Sequence, residues 1–268
     1  MADLFGGLES ATSPDETATG GPLADRLRPQ RLEDVVGQDH LTGPEGAIGR
    51  MVAAGRLSSI ILWGPPGTGK TTTARLLADA VGLRFVAISA VFSGVADLKK
   101  VFAEAREHAR LGKRTLLFVD EIHRFNRSQQ DGFLPFVEDG TVTLVGATTE
   151  NPSFELNAAL LSRAQVLILR RLDHEALTLL LDRAEAMEER PLPLTPDARD
   201  ALVASADGDG RFLLNQAGTL FSIEIGDSIT RPAEPFDDGP SVEVWRPRIT
   251  RMSRIRGKPY HGSGLIRD

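Results

Sequence analysis

Cysteine is absent from this 268-residue chain, which excludes disulfide bridges and zinc–thiolate centres. No apolar run approaches the ~20 residues that a membrane-spanning helix needs. The opening residues MADLFGGLES lack the basic stretch of a secretory signal. There is no excess of positive charge either: the formal net charge is −6, which argues against a generally basic nucleic-acid binder but leaves room for a local basic patch. These absences point to a cytoplasmic protein with no membrane partner. Apolar residues at 41% and charged residues at 25% are ordinary for a chain that folds around a real core.

What is present divides into four stretches. Residues 1–22 are rich in Ser, Thr, Pro and Gly and read as disordered; Leu4 and Phe5 form an isolated apolar pair there. From Ser59 to Arg171 short apolar runs alternate with helical patterns. The runs are SSIILW, RFVAIS, TLLFVD, TVTLVGAT and QVLILR. Between them lie TTTARLLADAVG, a helix over 95–109 with Val95, Leu98, Phe102, Ala105 and Ala109 at helical spacing, and a helix around Ser128–Glu138. Continuous apolar strands alternating with helices predict a doubly wound α/β fold, a parallel sheet covered on both faces. Residues 172–225 predict three helices with no strand between them, a small helical unit after the sheet; Thr195 followed by Pro196 is a helix-start signature. Residues 226–268 are proline-rich, with at most a short strand at SVEVW and seven Lys/Arg without an acid between Arg246 and Arg267. That segment reads as a solvated basic tail, with a phosphate-contacting arm as the alternative.

Two motifs carry chemistry. Gly64-Pro65-Pro66-Gly67-Thr68-Gly69-Lys70-Thr71 satisfies G-x-x-x-x-G-K-[ST] at every fixed position. Glycines let the backbone curl so that successive N–H groups face phosphate oxygens, and the following helix turns its positive end to them. Lys70 supplies a mobile charge for the β- and γ-phosphates of ATP; the Thr71 hydroxyl is a hard ligand for Mg²⁺, and Thr72 belongs to the same binding turn. The second motif is Leu116–Glu121, an apolar strand ending in two acids at the carboxyl edge of the sheet. Asp120 would hold Mg²⁺ through water, and Glu121 would orient the attacking water. His123 follows this pair, but its spacing yields no tetrahedral metal set. It reads as a packing residue or a support behind the acids; His108 also reads as packing.

GPPGTGKT with FVDEIHRF resembles the AAA+ ATPases. The segments ISAVFSGVADLKKVF, DEIHRFNRSQQDGFLPFVEDGTV and VGATTENPSFELNAALLSR resemble the replication-associated recombination protein A family. That family includes the Werner helicase-interacting ATPases and is related to clamp loaders and the Holliday-junction branch-migration motor. The resemblance runs from about Leu23 to Ile223. It implies an AAA+ sheet with a helical lid, Mg-dependent ATP hydrolysis at replication forks, and DNA partners such as single-stranded ends or forks. It also implies association with single-strand-binding or other replication proteins, a place at the nucleoid, and a homo-oligomer.

Residue roles follow from the same resemblance. Leu27, Arg28, Pro29 and Val36 would flank the adenine. Thr149 would be the sensor after the fourth strand, with Asn151 its rival. Arg163, in the Ser162-Arg163 pair, would reach the γ-phosphate bound to a neighbouring subunit, and Arg211 would contact the γ-phosphate from the lid. The tail departs from the resemblance. Family members continue into a helical region associated with tetramers, and the loss of helical period after about Ile225 reads as a shifted or truncated frame that would weaken assembly. Two other functions compete. One is a branch-migration helicase or clamp-loader subunit; the other is a nucleotide-binding regulatory module with little turnover.

Overall fold

A computed structural model describes residues 21–223. The expectations for the first twenty residues and for the tail 226–268, including the strand at SVEVW, lie outside the described residues.

Five strands form one all-parallel sheet: β1 (Ile60–Trp63), β2 (Arg84–Ser89), β3 (Thr115–Asp120), β4 (Val142–Thr148) and β5 (Gln165–Ile168). Their order across the sheet is β2-β3-β4-β1-β5. The register sets Trp63 beside Thr148 and beside Ile168, and Ser89 beside Asp120. The carboxyl ends of β3, β4 and β1 are thus neighbours, although their loops are far apart in sequence.

Alternation along each central strand feeds two cores. Ile60, Leu62, Leu116, Phe118, Val145 and Ala147 point to one face, where they meet Ile48 of α3 (Ala47–Ala53) and Ala74, Leu77 and Ala78 of α4 (Lys70–Ala80). Ile61, Leu117, Val119 and Leu144 point to the other, packed with Leu98, Phe102 and Ala105 of α5 (Val95–Arg110) and with Phe133. Both sides are covered, which is why these strands read as unbroken apolar runs. The short helices α1 (Leu23–Arg26) and α2 (Asp39–Thr42) precede them in the chain.

Two local expectations need correction. The stripe on α5 is narrower than its spacing implies: Leu98, Phe102 and Ala105 are buried, but Val95 and Ala109 are exposed. The helix placed around Ser128–Glu138 is two helices, α6 (Arg127–Asp131) and α7 (Leu134–Glu138). Pro135 has no N–H to donate to the carbonyl of Asp131, so one continuous helix cannot form across it. Asn126 and Gln129 close a reciprocal cap on α6. The chain then passes through α8 (Pro152–Glu155) and α9 (Ala158–Leu161) to β5.

After the sheet come α10 (His174–Glu188), α11 (Pro196–Ser205) and α12 (Gly210–Phe221). Each starts with a side-chain cap, from Asp173, Thr195 and Asp209. They share a third apolar cluster with Leu177, Leu181, Leu213 and Phe221 at its centre, and Leu23 of α1 packs into it. Among the described residues no helix is long and apolar enough to cross a membrane.

Candidate nucleotide-binding site

The loop 64–69 leaves β1 and ends where α4 begins at Lys70. Gly67 and Gly69 both have left-handed backbones, with φ of 67° and 93°, a region that costs a residue with a Cβ ~1–2 kcal/mol. Gly67 has a second reason to be glycine: a Cβ there would stand 1.8 Å from Asp209 Oδ1. Asp209 meanwhile accepts the Phe212 N–H at 2.9 Å and so caps α12. The start of α12 therefore rests on the loop, and two helix N-termini converge on one cleft.

Its walls include Pro66, Gly67, Thr68, Gly69, Lys70, Thr71 and Thr72 from the loop and first turn of α4, and Asp120, Glu121 and Thr149 from the sheet edge. Leu27, Arg28, Pro29 and Val36 line it from the N-terminal segment, and Arg211 from α12. Gly64 and Pro65 contribute differently. Their carbonyls accept hydrogen bonds from Lys70 Nζ at 2.8 and 2.7 Å. Burial pushes the Lys70 ammonium below its ordinary 10.5; the charges of Glu121 and Asp120 oppose that shift, and Arg211 reinforces it.

Asp120 is the last residue of β3 and Glu121 follows in a left-handed conformation, φ 51° and ψ 46°, unusual for a residue with a side chain. A short 3-10 turn, Ile122–Arg124, comes next. The hydroxyl of Thr71 and the carboxylate of Asp120, both on the cleft wall, are the hard oxygen donors that Mg²⁺ takes together with substrate phosphates. The donor set thus fits the ion. Among the described residues there is no cluster of three or more His, Asp or Glu of the kind that would hold a metal without a substrate.

Thr149 lines the cleft; Asn151, its rival, is instead engaged in capping α8, accepting from the Ser153 N–H at 3.0 Å. Arg163 is the residue that the structure does not bring to the cleft. It precedes β5 and so lies at the amino edge of the sheet, where its guanidinium meets Glu138 at 2.6 Å and the Ala159 carbonyl at 2.8 Å. Sequence reasoning missed Gly210, Leu214, Leu172 and Leu180 at the cleft, and Asp209 against Gly67 beside it. Asp209 carried a legible signal as a helix cap before GRFLL, but nothing local linked that cap to Gly67.

Residues 60–172 match the ATPase family associated with various cellular activities (AAA). The chain is 51% identical over 247 residues to the replication-associated recombination protein A of Coxiella burnetii, covering 90% of this chain and 54% of that protein. The protein of the same name in Escherichia coli K12 is 46% identical, over 80% of this chain and 49% of its own length. This chain belongs to the replication-associated recombination protein A family of AAA ATPases. Similarity reaches beyond bacteria: the ATPase WRNIP1 of Dictyostelium discoideum is 44% identical over 72% of this chain and 23% of that protein. The Coxiella match also takes in more of the chain than the stretch Leu23–Ile223 on which the motifs alone rest. Among solved structures, the RuvB Holliday junction branch migration motor of Thermotoga maritima superposes with a TM-score of 0.59 at 27% identity, covering 71% of this chain and 64% of that one. The chain spans about half the length of the bacterial relatives it matches.

Proposed function

We propose that this chain binds Mg-ATP in the cleft between the P-loop and α12 and hydrolyses it, and that the hydrolysis serves replication-associated recombination and repair on DNA. One observation carries the enzymatic part. Lys70, Thr71, Asp120, Glu121, Thr149 and Arg211 come from four separate parts of the sequence and line a single cleft. The backbone N–H groups of loop and helix would receive the phosphates, with Lys70 moving from the loop carbonyls to the β- and γ-oxygens. Mg²⁺, held by Thr71 and by Asp120 through water, would neutralise charge on those oxygens. Glu121 would orient and polarise the attacking water, Thr149 and Arg211 would hold the γ-phosphate, and the apolar wall of Leu27, Pro29 and Val36 would take the base. The helices from 172 onward act as the lid in this scheme, with 23–171 as the nucleotide-binding core.

The DNA role rests on family membership. Relatives at 46–51% identity carry the recombination name, whereas the branch-migration motor is alike at 27%, which favours the first function over the second. Forked or single-stranded DNA and the proteins that coat it are the corresponding partners, and the nucleoid the corresponding place.

A second reading, a nucleotide-binding module with little turnover, is favoured by one feature. Arg163 lies at the far edge of the sheet, paired with Glu138, so a lone subunit has no arginine finger for its own cleft. Steady-state ATP hydrolysis over a wide range of protein concentration, with and without forked DNA and with Glu121→Gln as the blank, separates the two. Specific activity that climbs with concentration and DNA supports the motor. A flat response at the blank, with ATP still bound, supports the module.

A further inference from the structure

His123 is a buried group that the scheme above leaves unused. It sits in the 3-10 turn two residues after Glu121, with its side chain 7% exposed. Its Nδ1 is 2.9 Å from Thr148 Oγ1 and 3.2 Å from Glu121 Oε2. Thr148 is buried at the end of β4. Its hydroxyl oxygen lies 3.0 Å from the Glu150 N–H, which donates to it, and 3.2 Å from the Glu150 carbonyl. Glu121 Oε2 is buried and has no hydrogen-bond partner among the described residues, with His123 Nδ1 its near neighbour.

A count of protons decides the arrangement. The Thr148 hydroxyl has one hydrogen. If it went to Nδ1, that nitrogen would present a lone pair to Glu121 Oε2, and a buried carboxylate oxygen would face no donor. If Nδ1 carries the proton instead, that proton lies between Thr148 Oγ1 and Glu121 Oε2. The hydroxyl is then free to donate to the Glu150 carbonyl, and an N–H stands 3.2 Å from Oε2, where a small turn of the carboxylate completes the bond.

We infer that His123 is protonated on Nδ1 and is a positioning residue: it holds one oxygen of Glu121 and ties that carboxylate to the end of β4, next to Thr149. The inference rests on the reading of Glu121 as the group that orients water. With Oε2 engaged by the protein, the other oxygen is left to work on water, and its direction is set by the imidazole rather than by a free side-chain torsion. The tie also joins the two sides of the reacting centre. Thr149, on the cleft wall, is one residue from the threonine that the same imidazole grips.

The test uses His123→Ala, His123→Asn and His123→Gln in the full chain. An asparagine amide can place an N–H where Nδ1 lies; a glutamine amide reaches towards Nε2 instead. The expected result is a fall in kcat of ~10–100-fold for His123→Ala, by analogy with other residues that orient a reacting ligand, with the affinity for ATP changed less than about twofold. His123→Asn should recover most of the loss and His123→Gln should not. Equal effects of Asn and Gln, or a wild-type kcat in His123→Ala, would overturn the inference while leaving the ATPase reading intact. Imidazole ¹⁵N NMR decides the same point without turnover, with His123 assigned by the signal lost in His123→Asn. A proton on Nδ1 supports the inference, and a neutral ring protonated on Nε2 alone sinks it, even if the wild type fails to exceed Glu121→Gln and the ATPase reading fails first.

Discussion

The two edges of the sheet carry different sets of charged residues. At the carboxyl edge, loop, strand ends and α12 gather Lys70, Thr71, Asp120, Glu121, Thr149 and Arg211 around one cleft. At the amino edge, Arg163 shares a groove with Ser59, Arg114 and Glu138, and the residues of the P-loop are not among its walls. The difference follows from the parallel sheet, which sends every strand's ending to one side and every strand's beginning to the other. A residue just before β5 cannot serve a ligand just after β1 in the same subunit. If Arg163 acts on a γ-phosphate at all, that phosphate belongs to another copy, and the contact is head-to-tail rather than two-fold.

The largest effects should come from breaking the carboxyl edge. Lys70→Ala removes the mobile charge and should abolish ATP binding and hydrolysis together. Glu121→Gln should abolish hydrolysis alone and leave ATP bound, measured by equilibrium binding beside steady-state turnover. Breaking the amino edge should separate the same two quantities from the other side. Arg163→Ala should leave ATP affinity near wild type while lowering turnover by ~10³–10⁵, the range for an arginine finger. Its partner sharpens the point: Glu138→Ala frees the guanidinium and should not lower turnover.

Smaller effects probe how the helical unit meets the P-loop. Gly67→Ala forces a Cβ into Asp209 at a left-handed backbone. It should cost ~1–2 kcal/mol in denaturant unfolding and weaken ATP binding, because α12 must lift from the loop. The smallest effect is one of pH. The folded pKa of Lys70 lies below its unfolded 10.5, so between the two values the unfolded chain binds the proton more strongly, and stability rises with pH across that window. The cost of burying the ammonium is fully present below the folded pKa. Any stability advantage of Lys70→Met should therefore shrink as pH climbs towards 10.5, as followed by chemical denaturation.

The parts legible in the sequence are those whose chemistry is local. The P-loop is continuous, so its glycines, lysine and threonine announce a phosphate cradle before any fold is known. The acids at 120–121 end an apolar strand, and strand ends are where α/β sheets bind ligands. The break at Gly132-Phe133 is also local, since Pro135 forbids the bond that a continuous helix would need, yet the stretch reads as one helix. What could not be read is what the topology assembles. Asp209 and Gly67 are 142 residues apart, and only the docking of α12 makes one the reason for the other. His123 and Thr148 meet because β3 and β4 are neighbours in the sheet. The cleft residues Leu27, Arg28, Pro29 and Val36 have no signature of their own; only likeness to a family marked them.

The most direct test of the split site mixes two inactive variants. Lys70→Ala keeps Arg163 but lacks a working cleft; Arg163→Ala keeps the cleft but lacks the finger. Combined at high protein concentration with forked DNA, they should form interfaces in which one copy supplies each edge, and ATP hydrolysis should rise above the sum of the two alone. A mixture no more active than that sum, at concentrations where the wild type hydrolyses ATP, would contradict the account.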